Sequence, residues 1–270
     1  MTSTLEDPKK LNILIPMAGM GSRFKKEGYS LPKPLIPVHG HPMIQWVINN
    51  LRPKGRPHRF IFICLKAHLE QFGLMKNLKT WAPHCEVVFT DSVTQGAACT
   101  VLLAKEFIND AHPLMIANSD QWIDIDIEHY LQAMENGGYD GYIMTMKAND
   151  PKWSYVGLDG RGNVVEVVEK KVISDEATVG IYNFRFGKDF VESAETMIAQ
   201  DLRVNGEFYV APAYNQLVLR KKKVGIWNIG QEGEGMYGLG IPPDLKKFEL
   251  LDISRKAAMR FLDEREWTNS

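Results

Sequence analysis

Between residues 12 and 117 the chain alternates short apolar runs with longer stretches of helical spacing, and few folds accommodate that rhythm. The pattern predicts strands over 12–16, 60–65, 86–90 and 113–117, and helices over 42–51, 68–81 and 95–107. Such an alternation specifies a parallel sheet with helices on both faces, because each parallel connection must cross over the sheet. Ligands of these sheets collect at the carboxyl ends of the strands. Polar chemistry just after the apolar runs is therefore the first place to look for a site.

The first run leads into Met17-Ala-Gly-Met-Gly-Ser-Arg-Phe24, and Pro32-Lys-Pro-Leu-Ile-Pro-Val38 follows shortly after. A glycine turn at the end of a buried strand lets backbone N–H groups approach a polyphosphate closely. Arg23 can grip phosphate oxygens bidentately, and Lys33 supplies a compact positive charge. Rival phosphate motifs do not fit. A dinucleotide fingerprint needs a third glycine where Phe24 stands, and an acid about 20 residues further on; His39-Gly-His-Pro-Met-Ile-Gln45 supplies none. A P-loop needs Gly-Lys-Ser/Thr, which is absent here. The glycines alone would read as an ordinary strand-to-helix turn. With Arg23 and the Pro-Lys-Pro segment they point to a nucleoside triphosphate.

With 270 residues and 44% hydrophobic content, the chain can bury one large α/β core. A net charge of −1 excludes a global basic field for nucleic acid or anionic membrane. Cys64, Cys85 and Cys99 form neither a metal-ligand pair nor a disulfide framework, and Cys64 reads as core. The first ten residues are polar and read as a flexible terminus. No run approaches the roughly 20 apolar residues of a membrane span, so a soluble, cytoplasmic protein is expected.

The second half changes character. Strands are predicted over 141–147, 154–158, 164–169, 178–186 and 224–229, with a hairpin turn at Asp159-Gly-Arg-Gly162. Helices are predicted over 190–199, late in 205–219, and over 245–262. One continuous domain is expected over 11–270, with a nucleotide-binding half (11–140), an acceptor half (141–245) and a terminal helix (246–270).

Several clusters can carry chemistry. Gln95 and Gly96 open a helix; a glutamine amide can pair with a base, and glycine permits close approach, but taken alone the pair reads better as a helix start with a polar first turn. Asp120 ends the fourth apolar run, where a carboxylate is well placed to hold Mg²⁺ against phosphates. Asp124-Ile-Asp126 resembles a D-x-D metal motif, but Asp126 precedes a helix and reads better as its cap. Glu169 and Lys170 are adjacent, so they share a site only if the strand ends there and the backbone turns. Asn205-Gly-Glu-Phe-Tyr-Val-Ala-Pro212, with Glu207, either lines a pocket or caps a half-buried helix. His39 and His41 lack a third ligand and read as loop. Lys221-Lys-Lys223 reads as a solvated turn.

The ordered set Ala18-Gly-Met-Gly-Ser-Arg-Phe24, Lys33, Gln95-Gly96, Ser119-Asp120, Glu169-Lys170 and Gly238-Leu-Gly-Ile-Pro-Pro-Asp-Leu245 resembles the sugar-phosphate nucleotidylyltransferases, over about residues 11 to 250. Segments at 151–155, 179–184 and 206–212 are similar to a capsule and surface-polysaccharide subgroup that includes cytidylyltransferases. The resemblance implies a Rossmann-like nucleotidyltransferase (GT-A-like) α/β fold, with a mixed, mainly parallel sheet flanked by helices. It implies attack by an acceptor phosphate on the α-phosphorus of a nucleoside triphosphate, CTP favoured and dTTP next, with release of pyrophosphate. By resemblance, Arg23, Lys33 and Asp120 are catalytic, and Asp120 carries Mg²⁺. Ala18, Gly19, Gly21, Ser22, Gln95 and Gly96 bind nucleotide. Glu169, Lys170 and Glu207 meet the phosphorylated acceptor. A homo-oligomer is possible. Two departures stand out: Ser119 replaces a usual glycine, and Gly238 replaces the aspartate that serves many relatives as second metal ligand. Glu232 and Glu234 are candidate substitutes. A GT-A-type glycosyltransferase and a non-catalytic nucleotide sensor are the alternatives.

Overall fold

A computed structural model describes residues 9–267. The expected flexible terminus falls largely on residues 1–8, outside the described residues. The first half holds β1 (Leu11–Met17), β2 (Pro37–Val38), β3 (His41–Pro42), β4 (His58–Leu65), β5 (Glu86–Thr90), β6 (Leu114–Ala117) and β7 (Gln121–Ile123). The remainder holds β8 (Gly141–Lys147), β9 (Ser154–Leu158), β10 (Val164–Glu169), β11 (Glu176–Phe184), β12 (Val224–Glu232) and β13 (Gly235–Gly238). All but the small β2–β3 ribbon join one sheet in the order β5-β4-β1-β6-β11-β8-β12-β13-β7, with the β9–β10 hairpin attached through β11.

The parallel part runs through β5, β4, β1 and β6, as the alternation requires. β11 then inserts antiparallel between β6 and β8. This mixed sheet is the expected Rossmann-like α/β architecture. Alternation along β1 splits the core between two faces. Ile13 and Ile15 pack with Val47, Leu78 and Leu131 from helices on one side. Leu14 packs with Val101, Ala194 and Leu217 from helices on the other.

Several element boundaries differ from expectation, for local reasons. The helix expected over 68–81 is two, Lys66–Phe72 and Leu74–Trp81, because Gly73 takes φ 60° and ends the first. The one expected over 95–107 begins only after Gly96, and divides into Ala97–Leu102 and Lys105–Ile108. Pro42 belongs to β3 and precedes the helix Met43–Leu51. The terminal helix is also two, Pro242–Leu250 and Asp252–Trp267, separated by the extended Leu251. Pro242 and Pro243 start it early, since proline fits a first helical turn. The last part of 205–219 is a 3-10 turn, Ala211–Ala213, and a helix, Tyr214–Leu219.

Candidate active site

β1 delivers the first loop to the carboxyl edge of the sheet. Ala18 is buried, Gly19 is exposed, and Gly21 adopts φ 61° before the short helix Ser22–Lys26. Phe24 anchors that helix in the core, edge-on to Tyr29 at 5.1 Å between ring centroids, so its neighbour Arg23 faces outward. Pro32 and Pro34 bracket Lys33 in a 3-10 turn, Lys33–Leu35. The two motifs touch: a Cβ on Gly21 would stand 3.3 Å from that of Lys33. Glycine here serves both the left-handed backbone and the approach of the lysine.

β6 ends at Ala117 and β7 begins at Gln121, with the tip Asn118-Ser-Asp120 between them. The Lys33 Nζ donates to Asp120 Oδ2 at 2.8 Å. Both side chains are about a quarter exposed, open to an incoming ligand. Gly240 passes the same carboxylate so closely that a Cβ would collide with it. The Leu239 N–H donates to the Asp120 carbonyl at 2.8 Å.

β13 runs antiparallel to β7 and pairs Gly238 with Gln121, beside Asp120. Gly238, where the resemblance expects a second acid, thus lies beside the Asp120 tip and holds no carboxylate of its own. Asp244, from the first turn of the helix Pro242–Leu250, reaches toward it. Its Oδ2 lies 3.5 Å from where a Gly238 Cβ would stand. Burial pushes the Asp244 carboxyl up, and Glu232 adds to this, against the pull of Lys152, Lys247 and Arg23. Of the substitutes expected from sequence, Glu232 is held by Lys152 at 3.1 Å and Glu234 accepts from Gln231 at 3.0 Å.

Among the described residues no group of three or more His, Cys, Asp or Glu side chains could hold a metal ion. The donor set instead offers the single carboxylate of Asp120, a quarter exposed. That suits Mg²⁺, which binds through one or two carboxylates and completes its shell with phosphates and water.

The Gln95–Gly96 segment, expected to face a base, lies on another loop. Thr94 hydrogen-bonds the Gly96 carbonyl at 2.9 Å, leaving Gln95 exposed. Gly96 has φ 131°, and a Cβ on it would collide with the Phe208 backbone. The reason is a two-bond clasp. Phe208 N–H donates to the Gln95 carbonyl at 2.9 Å, and Ala98 N–H donates to the Phe208 carbonyl at 3.0 Å. The segment carrying Glu207 is therefore docked on the Gln95–Gly96 loop.

β10 ends at Glu169, and Lys170 follows with φ 56°. This backbone turn meets the condition under which the adjacent pair can share a site. Glu169 is 7% exposed and accepts from the Ser154 hydroxyl. Burial pushes its carboxyl up, against the Ser154 hydrogen bond and the Lys170 charge. The Lys170 N–H is fixed on the Trp153 carbonyl at 3.0 Å. Its ammonium donates to the Tyr209 hydroxyl and lies 4.6 Å from the centre of that ring. Glu207 is exposed nearby and adds its charge to the surroundings of Lys170 and Tyr209.

The family model for nucleotidyl transferases matches residues 13–204. The chain belongs to the nucleotidyl transferase family. It is similar to the mannose-1-phosphate guanylyltransferase catalytic subunit beta of Drosophila pseudoobscura pseudoobscura, at 26% identity over 84% of this chain and 61% of the relative. It is also similar to the bifunctional protein GlmU of Methanocaldococcus jannaschii, at 25% identity over 81% of this chain and 50% of the relative. The chain thus spans about half to three fifths of these relatives. Among solved structures, a nucleoside-diphosphate-sugar pyrophosphorylase from Vibrio cholerae RC9 aligns with TM-score 0.73 and 24% identity, over 88% of this chain and 100% of that one. An inositol-1-phosphate CTP transferase from T. maritima aligns with TM-score 0.70 and 13% identity, over 93% and 96%. These likenesses match the fold described above.

In this nucleotidyl transferase the features outside the site have structural roles. Asp126 caps the helix Ile127–Gly137, its Oδ1 accepting from Glu128 N–H at 3.0 Å. With Asp124 it borders a separate cavity shared with Trp46 and Trp122. His39 bonds the Ser254 hydroxyl at 2.8 Å, and His41 stacks on Phe261 at 4.3 Å. Cys64 is buried in β4, and burial pushes its thiol up to about 12. Lys222 and Lys223 are less free than a solvated turn implies: Lys223 donates to the Gly137 carbonyl at 2.6 Å, and Lys222 faces Asp140 at 3.6 Å.

Three contributors escaped the sequence reading. Gly180 has φ 81° at a register shift in β11, and its carbonyl accepts from Asn118 N–H at 2.9 Å, locking β11 to the Asp120 tip. A glycine inside a strand pattern is the signal for such a bulge. Asp244 and Tyr209 carried no distinguishing local signal.

Proposed function

We propose that this protein transfers a nucleoside monophosphate from a nucleoside triphosphate to a phosphorylated sugar or sugar-like acceptor, releasing pyrophosphate. The observation that carries this reading is the meeting of Lys33 with Asp120 at 2.8 Å, beside the Gly21 loop. Two motifs far apart in sequence converge there with the charge pattern that a triphosphate needs. On this reading residues 11–140 serve the donor and 141–245 the acceptor.

An acceptor phosphate oxygen attacks the α-phosphorus; a new P–O bond forms, and the bond from the α-phosphorus to the bridging oxygen breaks. Pyrophosphate departs with the electron pair. A phosphate monoester is already anionic at neutral pH, so no strong general base is needed. Catalysis then rests on positioning and charge neutralisation. Arg23 holds the triphosphate and its departing part, while Lys33 leaves Asp120 to neutralise charge near the α-phosphate. Backbone N–H groups around Gly21 and Ser22 face the phosphates. Ala18, Gly19, Gln95 and Gly96 face the base. Lys170 takes the acceptor phosphate, with Glu169 and Glu207 beside it. Mg²⁺, when bound through Asp120, would supply further neutralisation of phosphate charge.

CTP is the favoured donor and dTTP the next, on the resemblance to the surface-polysaccharide subgroup, which also suggests precursor synthesis in the cytoplasm. The guanylyltransferase relative puts GTP on the same panel. The test is pyrophosphate release from CTP, dTTP, UTP, GTP and ATP with phosphorylated sugars, polyols and amino-acid derivatives. Release with at least one pair is expected. Transfer of a glycosyl group from a nucleotide sugar, without pyrophosphate, would replace this reading.

A further inference from the structure

We infer that Tyr209 is the positioning residue of the acceptor lysine, and that it ties Lys170 to the base-binding loop. The inference rests on the acceptor role proposed for Lys170. A lysine side chain is long and flexible, and its three N–H donors have no fixed geometry of their own. Lys170 is exposed and follows a left-handed backbone turn, so its own element does little to aim the ammonium. Tyr209 does it in two ways. Its hydroxyl accepts one N–H, and its ring lies 4.6 Å from the nitrogen, within cation–π range. Two N–H donors then remain for the oxygens of an acceptor phosphate monoester.

The tyrosine is itself held in place. Burial pushes its phenol up and the nearby Glu207 charge adds to this, against the hydrogen bond from Lys170, so the hydroxyl keeps its proton. Its neighbours Phe208 and Val210 are buried. Phe208 is clasped by Gln95 and Ala98 through its N–H and carbonyl, and the Arg203 guanidinium covers its ring at 4.4 Å. Val204 and Glu207 close the preceding turn with a pair of 3.0 Å backbone bonds. A rigid path therefore runs from Gln95 through Phe208 and Tyr209 to the Lys170 ammonium. A nucleotide that orders the Gln95–Gly96 loop also orders the lysine.

The test compares wild type with Tyr209→Phe, which keeps the ring and loses the hydroxyl, and Tyr209→Leu, which loses both. With a substrate pair that supports pyrophosphate release, Tyr209→Phe is expected to raise the acceptor KM about tenfold, the scale of one hydrogen bond to a charged group. Nucleotide KM should stay unchanged, and Tyr209→Leu should be worse. Unchanged acceptor KM in both variants overturns the inference and leaves the proposed reaction standing. Absence of pyrophosphate release by wild type with every pair overturns the reaction instead. The structural claim then has its own readout, the titration of ¹³C-methylated Lys170 by NMR, assigned with Lys170→Arg. The Tyr209 hydroxyl holds the Lys170 ammonium above the usual lysine value, so Tyr209→Phe should move that titration downward. An unmoved titration overturns the inference by itself.

Discussion

The Lys33 ammonium donates to the Asp120 carboxylate at 2.8 Å, joining residues 87 positions apart at the carboxyl edge of the sheet. The pair is only partly covered, so its direct contribution to stability is small, about 1 kcal/mol or less. Its value lies elsewhere. On the proposed reaction, each partner would satisfy the other until a ligand with both anionic oxygens and a cation arrives, and each would then turn to the ligand without leaving a bare charge.

Lys33→Ala and Asp120→Ala should each lower turnover by at least ~100-fold, the scale of losing one electrostatic contact made in the transition state. The effect should fall on kcat more than on nucleotide KM, because a contact that strengthens as charge moves contributes most at the transition state. Steady-state rates of pyrophosphate release check this. Near-normal rates in both variants would remove these residues from the chemistry.

Gly96→Ala should destabilise the protein by about 2–4 kcal/mol, combining a steric clash with a backbone angle that alanine avoids. The obstacle is the Phe208 backbone, which cannot rotate away as a side-chain tip would. The acceptor KM should rise as well, since the segment that carries Tyr209 undocks. Urea denaturation and acceptor titration measure the two effects. A variant as stable as wild type would mean that the clasp opens at little cost.

The parallel core and the meeting of the Gly21 loop with Lys33 were legible because their signals are local. The bounds expected for 86–90, 141–147, 154–158 and 164–169 match β5, β8, β9 and β10, where apolar alternation and the Asp159-Gly turn act over a few residues. The Asp126 cap was legible for the same reason. Gly73 was missed because glycine inside a helical pattern is often tolerated, and only its φ of 60° decides the break. Tyr209 meets Lys170 across 39 residues, and Asp244 reaches Gly238 only because the proline-started helix turns it back. No periodicity encodes such meetings. They follow from β13 pairing with β7 and from the clasp on Gly96.

Asp244→Asn should raise the Mg²⁺ concentration for half-maximal rate about tenfold, the lower end of losing a supporting carboxylate near a metal ligand. The Asp244 carboxylate lies 3.5 Å from where a Gly238 Cβ would stand, whereas Glu234 is engaged with Gln231. Glu234→Gln should therefore leave the Mg²⁺ dependence unaltered. Rate against Mg²⁺ concentration, supported by Mn²⁺ binding followed by electron paramagnetic resonance, separates the two. Equal responses of both variants would deny Asp244 this role.

Glu169→Gln should make the protein more stable relative to wild type as pH rises from the acid side to neutrality. Burial, the largest influence, holds the folded carboxyl above its ordinary value, although Ser154 and Lys170 oppose it. Below the ordinary carboxylate range, about 4.3 for glutamate, the group is protonated in both folded and unfolded chains and costs nothing. As pH climbs toward the raised folded value, the unfolded chain releases its proton first, so the folded state binds more protons and loses stability. Above the folded value the loss is complete and constant. Glutamine cannot ionise, and its carbonyl can still accept from the Ser154 hydroxyl, so the variant escapes this loss while keeping the contact. Melting curves of both proteins between pH 4 and 8 should show Tm of the variant gaining on wild type across the lower part of that span and then holding level. A difference in Tm that stays flat throughout would mean that Glu169 carries no such penalty, and that its carboxylate is fully compensated by its neighbours.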